Sequence, residues 1–220
     1  MLKQFNKFDN FIFDFDGTLA DTACEVLSCI EKAFNKCNVS FDKERLNPSV
    51  MGPSLAEITV IVKPELSDKS ITNNIVLEYR KLYDYDKNDI TELYDGIRDW
   101  LLYLKENNKK IFVATNKPKI PTLRLIKSLN INFFDDIYMV DKYPDKKLTK
   151  PQMIEDIVSK YNLSKKKTLM VGDCLSDIEA AKKAGVYSLA ALWGYEKNKN
   201  ILREKADFCL RKINDYRKGK

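Results

Sequence analysis

Three times in this 220-residue chain a short apolar run stops abruptly at a polar residue. Phe11 to Phe13 runs into Asp14, Ile111 to Ala114 into Thr115-Asn116, and Leu169 to Gly172 into Asp173. Runs this short and this apolar read as buried strands. Ile137 to Val140 and Tyr187 to Ala190 read as two more, and Asp207 to Leu210 as a short edge strand. The segments between carry helical spacing. Ile97, Trp100, Leu101 and Leu104 share one face, as do Ile154, Ile157, Val158 and Tyr161; Ile178, Ala181 and Ala184 mark a shorter helix that Gly185 can end. Strands alternating with helices predict an α/β fold, with a parallel sheet covered on both faces. Such sheets bind ligands at the carboxyl ends of their strands. Asp14, Thr115 and Asp173 are therefore expected at one edge.

The stretch from 21 to 91 breaks the pattern and holds no convincing strand. Val26, Leu27, Ile30, Ala33 and Phe34 form a helical stripe, with Asp21 or Thr22 as N-cap, and Ile75, Leu77, Tyr79 and Leu82 lie in a later helix. Pro48, Gly52, Pro53 and Pro64 punctuate its turns. The expected organisation is a core of residues 1–20 and 92–220 with an all-helical insertion at 21–91. The final Arg-Lys-Gly-Lys reads as a frayed tail.

Bulk features narrow the chemistry. There is no histidine, which excludes Ser-His-Asp and Cys-His catalysis and histidine-ligated zinc. Acid–base work falls to carboxylates, lysines or tyrosines. Five cysteines with no Cys-x-x-Cys argue against a disulfide framework and fit a reducing, cytoplasmic setting; Cys174 reads as a small filler. The net charge of +6 comes from scattered lysines, without the clustered basic and aromatic residues of a nucleic-acid binder. No signal peptide and no apolar run of membrane-spanning length is visible.

Residues 11 to 22 read Phe-Ile-Phe-Asp-Phe-Asp-Gly-Thr-Leu-Ala-Asp-Thr. A buried strand that delivers Asp14 and Asp16 to its end is costly, since two like charges 4 Å apart repel by about 4 kcal/mol at a surface-like dielectric. A bound cation would offset that cost. The string resembles the first motif of the haloacid dehalogenase superfamily of phosphatases, in the form found in phosphoglycolate phosphatase-like members. Further motifs match in the family's order: Thr115 in Ala-Thr-Asn-Lys-Pro, Lys150 in Leu-Thr-Lys-Pro, and Asp173 with Asp177 in Gly-Asp-Cys-Leu-Ser-Asp. Thr149 stands where a glycine often precedes the lysine.

The resemblance implies a Rossmann-like parallel-sheet core with an inserted helical cap. It also implies a role for each residue. Asp14 would be the nucleophile and Asp16 the general acid and base. Gly17, Thr115 and Asn116 would approach or hold the phosphate, as would Lys150, which also bridges the nucleophile to the phosphoryl group. Asp173 would bind the metal, with Asp177 holding metal-bound water or orienting Lys150. Oxygen-only ligation by Asp14, the Asp16 carbonyl and Asp173 suits a hard octahedral cation, so Mg²⁺ is expected. At a hundredfold excess over its Kd it would stabilise the fold by about 2.7 kcal/mol.

Met51-Gly52-Pro53-Ser54-Leu55 and Glu78-Tyr79-Arg80 resemble cap elements of phosphoglycolate phosphatase relatives. The expected activity is hydrolysis of small phosphomonoesters through an aspartyl phosphate, with phosphoglycolate as the leading substrate. A nucleotidase, a pyrophosphatase, a phosphosugar mutase and a non-catalytic scaffold stand as alternatives. A true dehalogenase would need neither Asp16 nor a metal. No nucleic-acid or membrane partner is expected, and the assembly is expected to be a monomer or homodimer.

Overall fold

The computed structural model describes residues 5–66, 68–85 and 90–213. The chain divides into two compact units, Met1–Asp21 with Glu92–Lys220, and Thr22–Thr91. Tail residues 217–220 lie outside the described residues.

The elements follow in chain order. Strand β1 is Asn10–Phe13 and β2 is Ala20–Asp21; helices α1, Ala23–Lys36, α2, Leu55–Val62, and α3, Lys69–Tyr83, come next. Then come β3, Glu92–Leu93, α4, Ile97–Glu106, β4, Lys110–Thr115, and α5, Lys119–Ser128. β5, Asp136–Met139, α6, Lys150–Lys160, β6, Thr168–Gly172, and α7, Leu175–Ala184, continue the alternation. It closes with β7, Tyr187–Ala191, α8, Lys199–Lys205, and β8, Phe208–Leu210.

Six strands form one parallel sheet in the order β5-β4-β1-β6-β7-β8. β1 lies between the two halves, so connections leave it in opposite directions. That switch in strand order is where such sheets open a crevice. β1 alternates its side chains between two cores. Phe11 and Phe13 pack with Trp100, Leu101 and Leu104 of α4 on one face. Ile12 joins Ile154 and Ile157 of α6 and Ala180 and Ala181 of α7 on the other. All of these are buried, as a strand covered on both sides requires.

Two short strands run against the expectation. β2 and β3 pair antiparallel, Ala20 with Leu93 and Asp21 with Glu92, at the points where the chain leaves and re-enters the sheet-bearing unit. Two residues are too few to show a period in sequence.

In the helical unit α1 buries Val26, Cys29, Ile30, Ala33 and Phe34, which pack with Ile75, Tyr79 and Tyr83 of α3. Ile75, Tyr79 and Tyr83 recur every four residues and define the buried stripe of α3; Leu77 falls off it and is exposed. Thr22 is the N-cap residue of α1 but has helical backbone angles, and its side chain makes no cap bond.

Candidate active site

Phe13 of β1 pairs with Val113 and with Val171, so Asp14 lies level with Ala114 and Gly172, and Thr115, the last residue of β4, and Asp173, just past β6, follow one position on. Asp14, Thr115 and Asp173 are brought to one edge in this way. The Asp14 N–H still donates to the Val171 carbonyl at 2.9 Å, which ties the acid to the sheet.

Asp14 is buried. Its Oδ2 lies 2.9 Å from Lys150 Nζ, and its Oδ1, equally buried, has no hydrogen-bond partner among the described residues. Burial pushes its carboxyl up to about 7; Lys150 opposes the shift, and the negative charges of Asp177 and Asp173 add to it.

Lys150 is the first residue of α6, just after Thr149, whose backbone N–H donates to Gln152 Oε1 at 2.9 Å. The threonine that departs from the family's usual glycine thus takes part in closing the helix start. Lys150 Nζ also donates to Asp177 Oδ1 at 2.5 Å. Burial would lower its pKa, but Asp14 and Asp177 overcome that and hold it above the ordinary lysine value. The neighbouring lysines go elsewhere: Lys142 pairs with Asp136 at 2.5 Å, and Lys146 and Lys147 are exposed.

Asp173 and Asp177 are completely buried. Asp173 accepts from Thr18 Oγ1 at 3.0 Å and from the Tyr195 N–H at 2.7 Å. Burial, with Asp177 adding, pushes its carboxyl up to about 6. Asp177 Oδ2 accepts from the Cys174 N–H at 3.0 Å while Oδ1 takes Lys150, so both of its oxygens are engaged. Of the two tasks expected of Asp177, this arrangement suits orienting Lys150. Burial pushes the Cys174 thiol up, and its Sγ sits 3.7 Å from Asp173 Oδ2, consistent with a filler.

Thr115 is buried, and its Oγ1 accepts from the Lys117 N–H at 3.2 Å; Asn116 is exposed. Lys117, given no role from sequence, is buried with its ammonium 3.0 Å from Asp16 Oδ1 and 3.3 Å from Oδ2. Gly17 has φ +77°, and a Cβ there would meet Asp173 Oδ2 and, at 2.7 Å, the Tyr195 ring. It therefore serves a left-handed turn and leaves room for an acid as well.

Sequence reasoning also missed Thr18 and the loop Trp193-Gly194-Tyr195. Trp193 Nε1 donates to the Thr18 carbonyl at 3.1 Å, which fastens that loop to the first motif. A Cβ on Gly194 would collide with Asp173 and with the Gly17 carbonyl. Gly194→Ala is expected to cost about 1–3 kcal/mol in a urea melt and to blunt any stabilisation by divalent cation, because neither a carboxylate nor a backbone carbonyl can give way cheaply. Wild-type stability with an unchanged cation response would contradict this.

The donor set fits a hard divalent cation. Three buried carboxylates, Asp14, Asp173 and Asp177, lie in the site with Lys150, whose ammonium pairs with Asp14 and Asp177, and one Asp14 oxygen has no partner among the described residues. The Cys174 thiol lies within the same cluster as Asp173 and Asp177, but burial pushes its pKa up, and the remaining ligands are carboxylate oxygens, which suit Mg²⁺.

Residues 11–191 match the profile of the family described as haloacid dehalogenase-like hydrolase. The chain belongs to the haloacid dehalogenase-like hydrolase family. Among its relatives, a phosphoglycolate phosphatase of Vibrio cholerae is 28% identical over 204 residues, covering 89% of each chain. A pyrophosphatase PpaX of Listeria monocytogenes is 26% identical over 212 residues, covering 95% of this chain and 94% of its own. The fold is that of a haloacid dehalogenase-like protein from Streptococcus pneumoniae, with a TM-score of 0.82 at 24% identity, covering 96% of this chain and 97% of that one. The haloacid dehalogenase-like assignment thus spans both units, and no helix among the described residues is long and apolar enough to cross a membrane.

Proposed function

We propose that the protein is a Mg²⁺-dependent phosphatase of small phosphomonoesters, most similar in activity to a phosphoglycolate phosphatase, working through an aspartyl phosphate. The observation that carries the reading is Asp14 itself, a buried carboxylate at the switch point with one oxygen held by Lys150 and the other without a partner among the described residues. A carboxylate so placed can attack phosphorus in line.

In this reading Asp14 forms the new O–P bond as the ester O–P bond breaks, and Asp16 gives its proton to the leaving oxygen. Water then attacks the phosphorus and returns a proton to Asp16, releasing inorganic phosphate and restoring Asp14. Lys150 neutralises charge building on the phosphoryl oxygens, and Asp177 keeps its ammonium aimed. Thr115 and the neighbouring backbone, with Gly17 and Asn116, hold the phosphate oxygens. Asp14, the Asp16 carbonyl and Asp173 would hold Mg²⁺, which when bound supplies charge neutralisation at the phosphate. The unit Thr22–Thr91 is proposed as the cap. A pyrophosphatase is the second reading, on the strength of the Listeria relative.

Release of inorganic phosphate from 2-phosphoglycolate, pyrophosphate, nucleoside monophosphates and sugar phosphates, with and without Mg²⁺, tests the proposal. Mg²⁺-dependent release from at least one is expected; none from any would overturn it.

The metal assignment has a pH signature. Asp14 and Asp173 have carboxyls raised from the ordinary 3.8 to about 7 and about 6 in the metal-free fold. A raised carboxyl binds its proton more tightly on folding. Its contribution is therefore full below pH about 4 and lost as pH rises towards 7. A cation on the ionised acids offsets that loss. The gain in Tm from millimolar Mg²⁺ is expected to be small at pH 5 and to grow through pH 7.5. A gain that does not vary with pH would argue against these two ligands.

A further inference from the structure

We propose that Lys199 is a built-in counter-charge to the metal site, and that it holds the affinity for Mg²⁺ below what the acids would reach without it. The inference deepens the Mg²⁺ assignment above and rests on it.

Three lysines stand near the acids, and they differ in what they sit on. Lys150 pairs with Asp14 and Asp177, and Lys117 pairs with Asp16. Lys199, the first residue of α8, is half-buried and donates to the Gly194 carbonyl at 2.7 Å. Among the described residues no carboxylate oxygen lies within ion-pair distance of its ammonium. A carbonyl satisfies one of an ammonium's three donors and leaves the charge standing. Placing such a charge partly out of water is costly. Burial accordingly lowers the Lys199 pKa; Asp173 is the largest of the charges that oppose this, followed by Cys174 and Glu196. The path to Asp173 is short. Gly194 is packed so closely on Asp173 that it has no room for a Cβ, and the next residue, Tyr195, donates its N–H to Asp173 Oδ2 at 2.7 Å. The ammonium on the Gly194 carbonyl is therefore one residue removed from the acid assigned to the metal.

That charge acts with opposite sign on the two forms of the site. Without the ion, the buried carboxylates of Asp14, Asp173 and Asp177 repel one another, and Lys199 offsets part of the repulsion. With the ion, Lys199 and Mg²⁺ are like charges in a partly desolvated setting, and the loaded form is disfavoured. Both effects raise the Kd for Mg²⁺. A purely mechanical role, in which Lys199 only steadies the Trp193-Gly194-Tyr195 loop, leads to the reverse: loosening the loop would misplace Asp173 and weaken the ion's binding.

The test measures Mg²⁺ binding by calorimetry and thermal shift, without substrate, at pH 7.5 and fixed ionic strength. The proteins are wild type and Lys199→Arg, Lys199→Met, Lys199→Gln and Lys199→Glu. The Kd is expected to follow charge. Arginine should stay near wild type, methionine and glutamine should bind about three- to tenfold more tightly, and glutamate more tightly again. The metal-free Tm should fall in the same order, so that the gain from Mg²⁺ grows as the metal-free protein weakens. A Kd unchanged or raised in the neutral variants would overturn the proposal. Lys199→Gln, which keeps a donor for the Gly194 carbonyl, decides alone should Lys199→Met not fold. No Mg²⁺ binding to the wild type would sink the metal assignment and this inference with it. Mg²⁺-dependent phosphate release by a wild type whose Kd is unmoved by neutralising Lys199 would sink this inference alone.

Discussion

Asp14→Asn is expected to abolish phosphate release, by a factor on the order of 10⁴ or more, without unfolding the protein. The substitution keeps the shape of the side chain and removes only the nucleophilic charge. Losses of that size are typical when a group that forms the covalent bond is removed. Its effect on stability is the more discriminating half. Asp14 is ionised at a cost, because it is buried and lies near the negative Asp173 and Asp177. A neutral amide relieves that cost, while Lys150 keeps Asp177 at 2.5 Å. Metal-free Asp14→Asn should therefore melt at or above the wild-type temperature at pH 7.5, and its response to Mg²⁺ should shrink. A folded variant with more than a few per cent of wild-type turnover would remove Asp14 from the chemistry.

Lys150→Met should be the reverse case, losing both activity and stability. Methionine keeps much of the lysine's length but leaves Asp14 and Asp177 without their shared cation. Breaking a buried ion pair from one side costs about 3–5 kcal/mol, because the remaining charge has no partner. The loss should appear in urea melts at pH 7.5. Adding Asp14→Asn should recover part of it, since one of the stranded carboxylates is then neutral. A double variant whose loss is the plain sum of the two single changes would show that the 2.9 Å contact carries no coupling.

Much of this site was legible because strand ends announce themselves. An apolar run needs no neighbour to be recognised, and a polar residue stopping it can only leave at the sheet's edge. Asp14, Thr115 and Asp173 were readable for that reason. Lys150 was harder to separate from Lys142, Lys146 and Lys147, since four lysines in one stretch are alike in sequence. What distinguishes them is that Asp136 takes Lys142 while Lys150 enters the core. Lys117 went without a role because a lysine before a proline looks like a solvated turn; its partner Asp16 is 101 positions away. The Trp193-Gly194-Tyr195 loop was invisible for a different reason. Tyr195 holds Asp173 through a backbone N–H, a donor that nearly every residue carries. The β2–β3 pair is too short to carry a pattern, and Leu77 fits a helix without fitting its buried stripe.

The central place of β1 has a consequence for how the chain emerges during synthesis. Its two partners arrive late: Asn10 pairs with Lys110 on one side and with Thr168 on the other. The strand that carries Asp14 is therefore strongly apolar and without a neighbour until about half of the protein has been made, and lacks its second neighbour until about three quarters has. A nascent chain interrupted before β6 lacks both the neighbour that pins Asp14 and the acid at position 173. Premature termination should therefore yield inert, aggregation-prone fragments, and phosphate-cleaving competence should appear in one late step of translation.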